Sequence, residues 1–298
     1  MSKTLLITGA SGFLGWYVCQ EAQRQGWAVH GTYHTHPIQL PDVTVHQLDL
    51  RHLDAVQDAI AHIAPDAVIH AAAQARPNRC EIDPDAAYQS NVIASIHLAE
   101  TLGRSRPGGI PCVFVSSNQV FDGRHAPYNE TDAVCPINVY GHQKVTAEQE
   151  VLARNPAALV CRMPLMFGSA PTAPSFLQGF LQRLDQGEPL NLFMDEFRTP
   201  LSGMDAAKGL LLAINTMVGK TERLLHLGGP ERLSRYEFGQ ILVAVLGLNE
   251  SRITACCQTD LQMAAARAPD LTMDSRRAIA LGFTPMSVRS ALEQLKLK

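Results

Sequence analysis

The chain has 298 residues, 46% hydrophobic and 18% charged, with 25 lysines and arginines against 28 aspartates and glutamates and a formal net charge of −3. That length can bury a full core and more than one sub-domain, and the composition is that of a soluble globular protein. With no basic run, it excludes a charge-driven partnership with nucleic acid or an anionic membrane.

Seven cysteines at irregular spacing, none in a C-x-x-C pair and only Cys256-Cys257 adjacent, read as reduced thiols of a cytoplasmic protein. The longest apolar run, Ile241 to Leu248, falls far short of the ~20 residues of a spanning helix. No charged-then-apolar leader precedes Leu5, so no signal peptide is expected.

Leu5 to Thr8 is a short apolar run ending in Gly9-Ala10-Ser11-Gly12-Phe13-Leu14-Gly15, and Trp16 to Gln25 reads as a helix stopped by Gly26. Strand, glycine turn and helix together are the context of a dinucleotide fingerprint. Gly9 permits the tight turn, Gly12 lets the backbone approach a pyrophosphate, and Gly15 lets the helix pack closely on the strand. The helix N-terminus offers free N–H groups to phosphate.

Ala28 to Thr32 reads as a second strand and Val43 to Leu48 as a third. The second leads into Tyr33-His34-Thr35-His36, with no carboxylate to bind a ribose 2′-hydroxyl. His34 or His36 would add partial positive charge, so NADP(H) is favoured over NAD(H). Asp49-Leu50, after the third strand, faces the adenine or caps the next helix, Leu53 to Ala64.

Ala67 to His70 is a fourth strand, opening onto Ala71-Ala72-Ala73, small residues that let a ligand approach the backbone. A long helix, Ala86 to Leu102, follows the start signal Asp83-Pro84-Asp85 and carries Asn91, which orients a water or backbone group near Lys144 or lies at the surface. Cys112 to Val115 and Leu159 to Cys161 are the fifth and sixth strands. Alternating strands and helices predict an α/β fold, a Rossmann-type doubly wound parallel sheet, with ligands at the C-terminal ends of its strands.

The fifth strand ends in Ser116-Ser117-Asn118-Gln119, where a hydroxyl can polarise a substrate carbonyl. Tyr140-Gly-His-Gln-Lys144 falls in the first turns of a helix continuing from Val145 to Arg154. Four residues apart is one helical face, and an ammonium beside a phenol lowers the phenol's pKa from about 10 toward neutrality.

In order and spacing, Gly9/Gly12/Gly15, Asn91-Val92, Ser116-Ser117 and Tyr140-x-x-x-Lys144 resemble an extended short-chain dehydrogenase/reductase over nearly the whole chain. Ser116 to Gly123 and Pro136-x-Asn138-x-Tyr140-Gly141 are most similar to the dTDP-4-dehydrorhamnose reductase group. That group includes the regulatory β subunit of methionine adenosyltransferase, which Arg76-Pro77, Asp83 to Ala87 and Arg162-x-Pro164 also resemble. The resemblance implies that Tyr140 protonates a carbonyl oxygen as hydride arrives, that Lys144 tunes the phenol and bonds the nicotinamide ribose, that Ser117 polarises the carbonyl, and that Pro164 meets the nicotinamide. It implies a small-molecule carbonyl substrate and is compatible with a homodimer. Asn118-Gln119 replaces the Asp-Tyr usual in sugar reductases of the group, a loss of an acid and an aromatic ring that counts against the rhamnose-pathway substrate.

Beyond Gly168 the pattern changes. Phe176 to Gln186 reads as a helix, Leu190 to Phe193 as a strand, Met204 to Met217 as a helix and Leu224 to Leu227 as a strand returning to the sheet. Ser234-Arg-Tyr-Glu237 is a capping box opening a helix to Leu246, and a last helix runs from Val288 to Leu297. Residues 1–168, joined by 199–228, form the dinucleotide-binding domain, and 169–198 with 229–298 form a small substrate lobe. Arg198 either binds an anionic substrate group or pairs with Asp195 or Glu196, and by the resemblance Arg267 faces the cleft.

Overall fold

The computed structural model describes residues 2–295. One parallel sheet of seven strands contains β1 (Thr4–Thr8), β2 (Ala28–Tyr33), β3 (Val43–Gln47), β4 (Ala67–His70), β5 (Cys112–Ser117), β6 (Ala158–Met163) and the strand Leu224–His226. Across the sheet the order is Leu224–His226, β6, β5, β4, β1, β2, β3, which is the Rossmann-type arrangement. The order reverses beside β1, so the ligand crevice opens at the C-terminal ends of β1 and β4.

Alternation divides each strand between two apolar faces. Leu5, Ile7, Val113, Val115, Leu159 and Cys161 pack under the helices Phe13–Arg24 and Gly203–Met217. On the other face, Leu6, Val68 and Cys112 meet Leu53–Ile63 and Ala94–Arg104, while Phe114 and Val160 meet Val139–Arg154. A separate apolar cluster joins the helices Phe176–Asp185, Arg235–Val245 and Val288–Gln294 to the parallel strands Leu190–Phe193 and Ile253–Cys256. Each fully buried Leu or Phe in these cores contributes roughly 1.5–3 kcal/mol.

Several boundaries differ from expectation. The first helix starts at Phe13, three residues before Trp16, because Gly12 takes the extended backbone of an N-cap. β5 runs on through Ser116 and Ser117. The expected helix Ala86 to Leu102 is not continuous. Asp83 caps Pro84–Tyr88 by accepting from Ala86 N–H, then a π-helical turn, Gln89–Ile93, leads into Ala94–Arg104. A helix that was not expected, Pro77–Ile82, starts on a proline. The Ser234/Glu237 capping box is present. The last helix ends at Gln294 with Leu295 as its C-cap, short of the expected Leu297; residues 296 and 297 lie outside the described residues. Among the described residues, no helix is long and apolar enough to cross a membrane.

Candidate active site

The glycine turn is built on close approach. Gly9 has φ +73°, and a Cβ there would stand 2.8 Å from the backbone of Ala72 in the loop after β4. A Cβ on Gly15 would collide with the carbonyl of Gly9, so only glycine lets the helix sit this close to the turn. Gly12 has no such crowding beyond the Gly9 carbonyl. Ser11 and Phe13 are half-buried at the turn, while Leu14 packs into the core, so only its backbone could meet a ligand. Ala71 and Ala72 are half-buried and Ala73 is exposed. Pro164 is buried just past the end of β6.

The two serines of β5 divide as strand alternation demands. Ser116 donates to Glu148, which is locked in a buried ion pair with Arg162 (Nη2–Oε2 2.8 Å). Ser117 accepts from Gln119 N–H at 3.2 Å and lies against the phenol of Tyr140. Asn138 caps the helix Val139–Arg154 by accepting from Gly141 N–H at 2.8 Å, which puts Tyr140 and Lys144 on its first turns.

Both are buried, and their electrostatics differ from expectation. Burial pushes the Tyr140 phenol well above its ordinary value, against a smaller lowering by the Ser117 hydroxyl. Lys144 does not bring it down: Nζ donates to the carbonyl of Val115 at 2.8 Å, and sits 4.5 Å from the Phe114 ring centroid but 6.0 Å from that of Tyr140. Burial also lowers Lys144 to about 8, partly opposed by the charge of Glu148.

Asn91 is 1% exposed, not a surface residue. Its Oδ1 accepts from Gln74 N–H (2.8 Å), and its Nδ2 donates to Gln74 O (3.2 Å) and to Oε1 of Gln143 (2.8 Å), the neighbour of Lys144. It therefore clamps the loop after β4 to the helix carrying Tyr140. Leu50 is in the core. Tyr33 is half-buried, His34 is exposed, and Asp49 holds Arg51 by two parallel bonds (Nε–Oδ1 2.9 Å, Nη2–Oδ2 2.7 Å) with His34 Nε2 3.3 Å away. Bonding from Arg51 holds Asp49 well below the carboxylate range. Arg51, adjacent to the pair the sequence singles out, was missed because only its tertiary position marks it.

Asn118 is buried and donates to the carbonyl of Leu271 at 3.0 Å, so it anchors a loop. Gln119 accepts from Asn138 Nδ2 at 3.1 Å. Arg198 is buried and pairs with Glu196 at 3.0 Å, the ion-pair alternative, yet the same carboxylate also meets Arg267 (3.3 Å) and Arg235 (3.8 Å). Three guanidiniums share one carboxylate, and among the described residues the buried Nε of Arg267 has no hydrogen-bond partner. Desolvation, with the neighbouring arginines, lowers Arg235 to about 10. In the sequence Arg235 is only the second residue of a capping box, and nothing local ties it to Glu196. Among the described residues no cluster of His, Cys, Asp and Glu could hold a metal ion.

The sheet order and the glycine turn define a Rossmann-type α/β fold. Within that class the chain belongs to the RmlD substrate binding domain family, whose profile matches residues 3–296. It is 31% identical over 266 residues to the "Probable low-salt glycan biosynthesis reductase Agl14" of Haloferax volcanii, covering 88% of this chain and 86% of that protein. It is 28% identical over 286 residues to methionine adenosyltransferase 2 subunit beta of Rattus norvegicus, covering 95% and 83%. A crystal structure of dTDP-4-dehydrorhamnose reductase from Bacillus anthracis in complex with NADP superposes with a TM-score of 0.85 at 23% identity, covering 99% of each chain.

Proposed function

We propose that the chain is an NADP(H)-dependent reductase of a substrate carbonyl, with Ser117, Tyr140 and Lys144 as its site. The observation that carries this reading is the convergence of Ser117 and Tyr140 at the end of β5, on the side of the sheet where the Gly9 turn opens. The dinucleotide, when bound along the Gly9–Gly15 turn, supplies the hydride. Ser117 donates to the carbonyl oxygen and stabilises the charge that builds there. Tyr140 gives that oxygen its proton. The raised pKa keeps the phenol protonated, as a donor must be, and an alkoxide is basic enough to take the proton. Lys144, its Nζ tied to the Val115 carbonyl and 6.0 Å from the centroid of the Tyr140 ring, would hold the nicotinamide ribose of a bound dinucleotide.

The preference for NADP(H) rests on Arg51, held by Asp49 beside His34 in the segment after β3, whose guanidinium would favour a 2′-phosphate over a 2′-hydroxyl. The arginines around Glu196 suit an anionic substrate, and a nucleotide-linked 4-keto sugar has the required diphosphate. Gln119 and Arg267, both half-buried, are the remaining candidates to face the substrate, while Asn118 acts through the loop that it anchors. NADPH oxidation by the purified protein with a panel of ketones and nucleotide-linked 4-keto sugars, abolished by Tyr140→Phe, would support this reading. No turnover with any member would count against it.

The alignment with methionine adenosyltransferase 2 subunit beta over 95% of the chain favours a second reading, a dinucleotide-binding regulatory subunit. A stable complex with a methionine adenosyltransferase catalytic subunit, without NADPH consumption, would select it. An epimerase or dehydratase returns the hydride to its substrate, so net NADPH consumption excludes that reaction class.

A further inference from the structure

A polar thread crosses the centre of the sheet beneath the crevice. His70, the last residue of β4, is 1% exposed and is the register partner of Thr8 at the end of β1. Thr8 Oγ1 lies 2.7 Å from His70 Nδ1, and His70 Nε2 lies 3.0 Å from Ser95 Oγ. Ser95 Oγ donates to the carbonyl of Asn91 at 2.7 Å. A serine hydroxyl has one proton, so Ser95, having given its own to Asn91, can only accept from His70. Nε2 therefore carries the ring proton, and Nδ1 accepts from the hydroxyl of Thr8. Thr8 Oγ1 keeps lone pairs for the N–H of Ala72, 3.4 Å away. Every donor from Thr8 to Asn91 points the same way. Burial and the charge of Lys144 lower His70 to about 3, which keeps the ring neutral, and the bond to Ser95 selects its tautomer.

Each end of the thread belongs to the crevice. Thr8 precedes Gly9, whose Cα faces the backbone of Ala72. Asn91 grips Gln74 and Gln143, and so spans from the loop after β4 to the helix of Tyr140 and Lys144. Asn91 lies within the π-helical turn, a distortion that often accompanies functional sites. We propose that His70 is a positioning residue for the dinucleotide, holding the Gly9 turn, the Ala71–Gln74 loop and the Tyr140–Lys144 helix in fixed register through the Thr8–His70–Ser95–Asn91 thread. This rests on the reading of the glycine turn as a dinucleotide site. A histidine that only fills the core would affect stability and leave the affinity of the folded protein for cofactor unchanged.

The test compares wild-type protein with His70→Phe, which keeps a ring and loses both bonds, His70→Asn, which keeps an acceptor near Thr8, Ser95→Ala, and the double variant His70→Phe/Ser95→Ala. NADPH affinity is measured by titration calorimetry and unfolding of the cofactor-free protein by heat. His70→Phe and Ser95→Ala should each weaken NADPH binding about ten-fold, with the double variant no weaker than His70→Phe alone and His70→Asn recovering part of the loss. Binding by His70→Phe within about two-fold of wild type, or losses that multiply in the double variant, overturns the thread. If His70→Phe does not fold, Thr8→Val, Ser95→Ala and their combination form an equivalent cycle: losses that do not multiply support the thread, and losses that multiply overturn it. Wild-type protein that binds neither NADPH nor NADH overturns the dinucleotide reading and this inference with it. Normal wild-type binding with unaffected variants overturns the inference alone.

Discussion

Lys144 donates to the carbonyl of Val115 at 2.8 Å, so the strand anchors its ammonium and Tyr140 does not. The residue is buried, and its pKa of about 8 lies below the ordinary 10.5. Between those pH values the unfolded chain binds a proton that the folded chain has lost, so this group makes stability rise with pH across the window. The rise is of the order of 3 kcal/mol. Lys144→Met should remove it. Urea denaturation at pH 8 and at pH 10.5 would then show wild type gaining on the variant as pH increases. Parallel curves would mean that Lys144 does not titrate in that window.

Arg51 is held by Asp49 with its fork at the end of β3. NADPH should raise the melting temperature more than NADH at equal concentration. Arg51→Ala should weaken NADPH about ten-fold, the scale of one charge-assisted bond, and leave NADH unchanged. Equal losses for both dinucleotides would place Arg51 away from the 2′-phosphate.

Glu148 and Arg162 are buried, and Glu148 also accepts from Ser116. Glu148→Ala leaves a buried guanidinium without its carboxylate and should destabilise the fold by about 3–5 kcal/mol. Glu148→Ala/Arg162→Met should recover much of that loss. Urea midpoints of the two variants provide the comparison, and a double variant no better than the single would contradict the pairing.

Arg267 is the most exposed of the three arginines on Glu196. Arg267→Ala should raise KM about ten-fold for a diphosphate-bearing substrate, with kcat little changed and no effect on an uncharged ketone. A fall in kcat alone would place this arginine at the reacting carbonyl.

The sheet and the helix of Tyr140 were legible because their signals are local. β1 and β4 follow from short apolar runs and glycines, and the helix of Tyr140 from the helical run Val145 to Arg154; its cap, Asn138, shows only in the structure. The π-helical turn at Asn91 was not, since the apolar period passes through it unchanged while a side-chain clamp to Gln74 accompanies the widened turn. Ile253–Cys256 gains its partner, Leu190–Phe193, from far upstream, and no neighbouring residue signals the pairing. The height of the Tyr140 pKa is hidden for the same reason. Spacing puts an ammonium near a phenol, but only burial and the competing carbonyl of Val115 decide what each one does. The gathering of Arg198, Arg235 and Arg267 on Glu196 likewise depends on segments that meet only in the folded chain.

The strand Leu224–His226 pairs with β6, with Leu224 opposite Val160. A nascent chain that has emerged only as far as β6 therefore holds an open sheet edge. Leu159, Val160 and Cys161 are all buried in the finished protein, so that edge is apolar on both faces as well as lacking its backbone partners. Until Leu224 leaves the ribosome, β6 is a template for any other extended chain, and shielding by a chaperone would matter most during that interval. A fragment cut before Leu224 would keep the glycine turn and Tyr140 yet aggregate through β6.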